Sequence, residues 1–126
     1  MIFEHFALNV RDARSVSRWY IKNLGLSIAK SLPDAPYTTF LRDDAGRVVL
    51  ELYSNADFLV TDYSAVHPRS FHVAFLSNDP DADHLRLVAE GAKLEYRESS
   101  ADGSVFVMVR DPWGIPLQLV KRATPF

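Results

Sequence analysis

Runs in which apolar and polar residues alternate dominate this chain, and twice they give way to a stretch whose apolar positions recur every three or four residues. Alternation predicts a strand over residues 3–10, with Phe6, Leu8 and Val10 on one face and His5, Ala7 and Asn9 on the other. Asp12 then offers an N-cap for a helix running to about Asn23, with Val16, Trp19, Tyr20 and Asn23 on one face and Gly25 past its end. Three β-rich runs follow at 26–31, 37–42 and 48–53, the last two joined by the turn Asp43-Asp44-Ala45-Gly46. The same order then recurs. A strand over 71–77 sets Phe71, Val73 and Phe75 against His72 and Ala74. Asp79 caps a helix that begins at Pro80, ends near Glu90 before Gly91, and is expected to bury Leu85, Val88 and Ala89. Runs at 93–98, 104–110 and 115–120 complete it, with Asp111-Pro112-Trp113-Gly114 as the last hairpin turn.

Comparison of the chain with itself makes the recurrence specific. His5 and His72 are each followed two residues later by alanine, 67 positions apart. At that offset Asp12 falls on Asp79, and Leu50-Glu51-Leu52 falls on Leu117-Gln118-Leu119. The expected fold class is therefore α+β: two tandem βαβββ modules forming a curved mixed sheet with helices on its outer face. The chain reads as one domain over 1–126, its half-repeats at about 1–53 and 70–121 joined by 54–69. That segment looks irregular, with a helical turn around 56–59.

Strand parity then selects a set of polar residues. The more apolar faces pack against the helices, which leaves His5, Glu51, His72 and Gln118 on the opposite faces, one per strand. Two imidazoles, a carboxylate and an amide oxygen suit Zn, Ni, Fe(II), Mn or Co. A divalent cation also meets the cost of burying a carboxylate. The competing account is plain: each histidine is a satisfied core residue and Glu51 makes a local ion pair.

Composition narrows the partners. The chain has 126 residues, 48% hydrophobic and 24% charged, with a net charge of −2. That balance belongs to a soluble globular domain and gives no electrostatic reason to expect nucleic acid or an anionic membrane. No apolar run is long enough for a membrane helix, and no signal peptide is visible at the N-terminus. With no cysteine, metal ligands come from His, Asp, Glu, Asn or Gln, and a cytoplasmic location is expected.

The first histidine strand, Trp19-Tyr20 followed by Leu24-Gly25, the Leu-Glu-Leu strand, the second histidine strand and the Asp111-Pro112-Trp113-Gly114 hairpin together resemble the vicinal-oxygen-chelate superfamily. That superfamily spans glyoxalase I, methylmalonyl-CoA epimerase, extradiol dioxygenases, fosfomycin-resistance transferases and metal-free bleomycin-binding proteins. The resemblance covers His5 to about Lys121 and implies a glyoxalase-like fold. Carried over from the glyoxalase I branch, the metal ligands are His5, Glu51, His72 and Gln118, where the last departs from that branch's glutamate. Asn55 matches a glutathione-contacting asparagine of the same branch.

Gln118 bears on mechanism, because an amide oxygen can coordinate a metal but cannot take a proton near neutral pH. Glu51 is then the catalytic carboxylate, as ligand or as base, and ordinary glyoxalase I activity is disfavoured. The leading expectation is a metal-dependent lyase or isomerase acting on a small molecule with vicinal oxygens, with Tyr37, Phe40, Tyr53, Asn55, Phe106 and Trp113 contacting substrate. Two histidines and one carboxylate also form an Fe(II) oxygenase ligand set. From a different class comes a metal-free protein that binds an aromatic or antibiotic ligand. A homodimer is expected, with the halves paired within one chain or exchanged between two. His67 and His84 read as surface residues, and Arg42 and Arg110 as strand-end cations, either solvated or holding a substrate carboxylate.

Overall fold

The same local grammar is used twice. A computed structural model describes Met1–Phe126, which divide into one unit over Met1–Thr61 and a second over Asp62–Phe126. In the first, β1 (Phe6–Asn9) leads through α1 (Ala13–Leu24) to β2 (Ser27–Ser31), β3 (Thr39–Arg42) and β4 (Val48–Tyr53). In the second, β5 (Val73–Leu76) leads through α2 (Pro80–Ala89) to β6 (Lys93–Ser99), β7 (Val105–Arg110) and β8 (Pro116–Lys121). Each unit holds a four-stranded mixed sheet, ordered β1-β4-β3-β2 and β5-β8-β7-β6. The first strand of each lies parallel to the last, and the remaining pairs are antiparallel. This is the α+β, glyoxalase-like fold. No helix is long and apolar enough to cross a membrane.

Both helices start where an aspartate can receive a free backbone N–H. Asp12 accepts from Ser15 and Asp79 from Ala82, positions that correspond at the 67-residue offset. The inward stripe of α1 is Ala13, Val16, Ser17, Tyr20 and Asn23, packed on β3 and β4. Leu8, Val10, Leu41, Leu50 and Leu52 complete that core.

The stripe of α2 corrects the expectation. Leu85 and Val88 are 65% and 42% exposed, and Ala89 is exposed too, whereas Pro80 and Leu87 are buried. The face turned toward the sheet is Pro80, Asp83, His84 and Leu87, an i, i+3, i+4, i+7 stripe that admits two polar residues. Asp83 is tolerated there because it accepts from the Ser77 hydroxyl at 2.6 Å and pairs with Arg86 at 3.0 Å. His84 is half-buried rather than fully on the surface, its Nδ1 3.3 Å from the Pro80 carbonyl. His67 is exposed, as expected.

Other boundaries shift as well. The strands expected at 3–10 and 71–77 shrink to four residues each, so His5 and His72 stand immediately before β1 and β5. The helical turn expected around 56–59 lies instead at Tyr63–Ala65. Arg110 fixes that turn: its guanidinium donates to the carbonyls of Tyr63 and Val66 and to that of Gly114, while Nε pairs with Glu95 at 2.6 Å. Arg110 is thus committed to the fold. Its counterpart Arg42 is exposed and donates to Ser27.

Candidate functional site

The first unit builds its polar group from three adjacent strands. Parallel register sets Glu51 of β4 beside Ala7 of β1, and antiparallel register sets it beside Phe40 of β3. His5, two residues before Ala7, has the same parity and reaches back along the strand. Its Nε2 comes to 3.0 Å from Glu51 Oε2. Phe40 meets the imidazole edge-on, with centroids 5.5 Å apart. His5 Nδ1 is in contact with the carboxylate of Glu4. A carboxylate therefore stands at each ring nitrogen. Glu51 is the more shielded, its side chain 20% exposed against 71% for Glu4.

The contact with Glu51 sets a chemical requirement. A carboxylate only accepts, so both ring nitrogens of His5 face acceptors and either can carry the proton. A lone pair and a carboxylate oxygen 3.0 Å apart repel unless a proton or a cation lies between them. Two ligands at right angles, each about 2.1 Å from a metal, are themselves roughly 3.0 Å apart. In donor type and separation, His5 and Glu51 fit two neighbouring positions of a divalent ion.

In the second unit the register is repeated with different chemistry. Gln118 of β8 lies between Ala74 of β5 and Met108 of β7. His72 Nδ1 donates to the Pro68 carbonyl at 2.7 Å, which leaves Nε2 as its free donor atom. Each unit holds one such imidazole and one side-chain oxygen on its own strands. No three His, Asp or Glu side chains are gathered closely enough to hold a metal.

The remaining candidates divide by their contacts. Tyr53 shares the parity of Glu51 on β4, and Phe106 that of Met108 on β7, beside Gln118. Tyr37 has a left-handed backbone (φ 57°) and its ring carries the Arg14 guanidinium 4.1 Å from the centroid, at the first turn of α1. Asn55 accepts the N–H of Asp57 through its side chain. Trp113 is half-buried in the β7–β8 turn, where its N–H donates to Asp111. Two residues escaped the sequence reading. Asn9 anchors the segment after β4, donating to the carbonyls of Asn55 and Phe58 and accepting from Asn55 N–H. Its parity with His5 was the available signal. Glu4 had none, since a charged residue next to a strand end is commonplace.

The chain belongs to the glyoxalase/bleomycin resistance protein/dioxygenase superfamily, whose family model matches residues 2–119. Among solved structures it is similar to a lactoylglutathione lyase from Agrobacterium tumefaciens (21% identity, TM-score 0.68, covering 97% of this chain and 94% of that one). It is similar to a possible glyoxalase from Bacillus cereus (22%, 0.67, 96% and 99%). A glyoxalase/bleomycin resistance protein from Albidiferax ferrireducens is a further likeness (23%, 0.65, 95% and 98%). At these identities the likeness is one of fold. No curated protein sequence matches the chain.

Proposed function

We propose that this protein is a metal-dependent small-molecule enzyme of lyase or isomerase type. His5, Glu51 and His72 are the metal ligands and Gln118 a weaker fourth contact. The observation that carries the reading is the 3.0 Å approach of His5 Nε2 to Glu51 Oε2, a separation that places a proton or a cation between them. The Nδ1–carbonyl bond of His72 supports it, because it leaves Nε2 to ligate. The ion, one of Zn, Ni, Fe(II), Mn or Co, would supply Lewis-acid polarisation of vicinal substrate oxygens.

The chain's own residues do the rest. Glu51 is the one carboxylate of the set and takes the substrate proton, a task closed to Gln118. Phe40 edges His5 and resists its rotation, and with Tyr53 it gives the Glu51 face an apolar wall. One carboxylate leaves a 2+ ion with a residual positive charge, which favours an anionic substrate oxygen. The working form is taken to be a cytoplasmic homodimer. A 14 kDa species in sedimentation at micromolar concentration would contradict the dimer.

Metal analysis of the chain purified without chelator, then incubated with Zn, Ni, Mn and Fe(II), tests the proposal. It expects one ion per chain, lost in Glu51→Gln. Absence of stoichiometric binding overturns it in favour of a metal-free binder of aromatic ligands. The lack of a three-residue cluster and the amide at position 118 speak for that second reading.

A further inference from the structure

We infer that Arg122 is the anion-binding residue of a further site, one that takes the carboxylate of a small molecule with an apolar body. The site lies within the second unit, draws on no metal ligand and goes beyond the function proposed above.

The fold fixes Arg122 without giving it a charged partner. It is the first residue after β8, and the next N–H, that of Ala123, donates to the Ser104 hydroxyl at 3.0 Å. Ser104 is buried and is itself held by Asp102, which accepts both its hydroxyl and its N–H at 2.9 Å. The end of β8 is thereby pinned to the β6–β7 turn. Parity puts Arg122 on the face of Gln118 and Val120, and Val120 pairs with Phe106. The guanidinium carbon lies 5.9 Å from the centre of the Phe106 ring and 4.0 Å from that of Phe126.

This environment sets Arg122 apart. Arg47, Arg69, Arg86, Arg97 and Arg110 each meet a carboxylate within 3.0 Å. Arg122 meets two rings and no carboxylate. An aromatic ring attracts a guanidinium through the ring face and does not use up the donors in the guanidinium plane. Arg122 is half-buried, so an acceptor in that plane is worth more here than on an open surface.

The class of ligand follows from the donor. A carboxylate is planar, accepts two parallel N–H bonds from one guanidinium, and carries the single charge that a single cation neutralises. A phosphate dianion calls for a second cation, and the neighbouring Lys121 is exposed with the opposite parity. Phe106 and Phe126 offer apolar surface to the body behind the carboxylate. Four residues of strand, about 13 Å, separate Arg122 from Gln118, so occupation here does not require the histidines.

The test follows the Arg122 Nε–Hε resonance of the isotope-labelled full-length chain by NMR as benzoate is added at constant ionic strength. Benzoate is expected to shift it saturably in the millimolar range, acetate about tenfold more weakly, and neutral benzyl alcohol not at all. Arg122→Gln is expected to weaken benzoate by about tenfold or more, read from the backbone amides of Phe106 and Ala123. Arg122→Lys keeps the charge without the planar fork and should fall between, which keeps the test open if the glutamine variant does not fold. Lys121→Gln removes the same charge from the opposite face and should bind within about twofold of wild type. Amide spectra of the unliganded variants separate lost folding from lost binding. A wild-type Arg122 resonance that does not move with benzoate overturns the site, as does benzoate binding to Arg122→Gln within twofold of wild type. Benzyl alcohol binding as tightly as benzoate overturns the recognition of charge. None of these outcomes depends on whether the chain binds a metal, so the two proposals stand or fall separately.

Discussion

The first unit places a carboxylate in the middle strand row where the second places an amide. Glu51 sits between Ala7 and Phe40, and Gln118 between Ala74 and Met108, in matching registers. The histidine before each edge strand is kept, but its support changes from a charged side chain to a backbone carbonyl. At the turns the two units share a device and differ in its burial. In the second unit Asp111 is buried and accepts the N–H groups of Trp113 and Ile115, while in the first the half-buried Asp43 accepts the N–H of Arg47 and pairs with its guanidinium. The two units keep backbone register while their chemistry differs, a carboxylate on the middle strand of one and an amide on that of the other.

The largest expected effect separates the units by metal. Glu51→Gln should lower metal affinity by more than the roughly hundredfold that marks the upper end for outer-shell changes, because a ligand itself is altered. Gln118→Glu should tighten binding, and the chelator competition that reads both shows the contrast directly. Equal affinity in the two variants would break the comparison.

Glycines at the two hairpin turns come next. Gly46 and Gly114 both have positive φ, 78° and 87°. A Cβ at Gly46 meets nothing within 4 Å, while one at Gly114 lies 2.8 Å from the backbone nitrogen of Ser64. Gly46→Ala should cost only the left-handed penalty of about 1–2 kcal/mol. Gly114→Ala adds a backbone clash and should cost clearly more, as read by urea unfolding. Matching losses would show that the turn at Tyr63–Ala65 yields freely.

Asp111→Ala leaves two backbone N–H groups without their acceptor and should destabilise by about 1–3 kcal/mol. Asp43→Ala, at a half-buried residue that accepts one backbone N–H from Arg47, should cost about 1 kcal/mol, less than Asp111→Ala, by the same urea midpoints.

The smallest effects lie at the helix caps. Asp12 and Asp79 each receive one backbone N–H, and each change to alanine should cost about 1 kcal/mol. Asp12 also accepts the Ser15 hydroxyl at 2.6 Å, where the second unit has Ala82. The Ser15 hydroxyl and N–H, with the charges of Arg18 and Arg14, hold the Asp12 carboxyl below its ordinary 3.8. A carboxyl lowered on folding stabilises above its ordinary value and loses that contribution as pH falls through its folded value. Ser15→Ala should therefore narrow the stability difference between pH 7 and pH 2.5, measured by urea midpoints. An unchanged difference would remove the Ser15 hydroxyl from the account.

Strand alternation and the 67-residue offset were enough to order the elements, match the two half-repeats and put His5, Glu51, His72 and Gln118 forward as candidates, because pleat parity is a backbone property that any sequence displays. The phase of α2 was not legible. Leu85 and Val88 are apolar, yet Ser77 and Arg86 supply partners for Asp83 and so let a polar stripe face the sheet. Nor was the break in the offset between the two hairpins. From Arg42 to Arg110 the offset is 68, and it returns to 67 because Val49 has no partner in β3 while β7 and β8 pair without a break. Such a bulge depends on hydrogen bonding between strands, so only the folded sheet reveals it. The support of each histidine was decided the same way, since which acceptor reaches Nδ1 depends on where the chain before the strand turns. The sequence by itself determined which side chains share a face; the tertiary structure decided what each touches, because contacts follow from packing across strands and not from position along one.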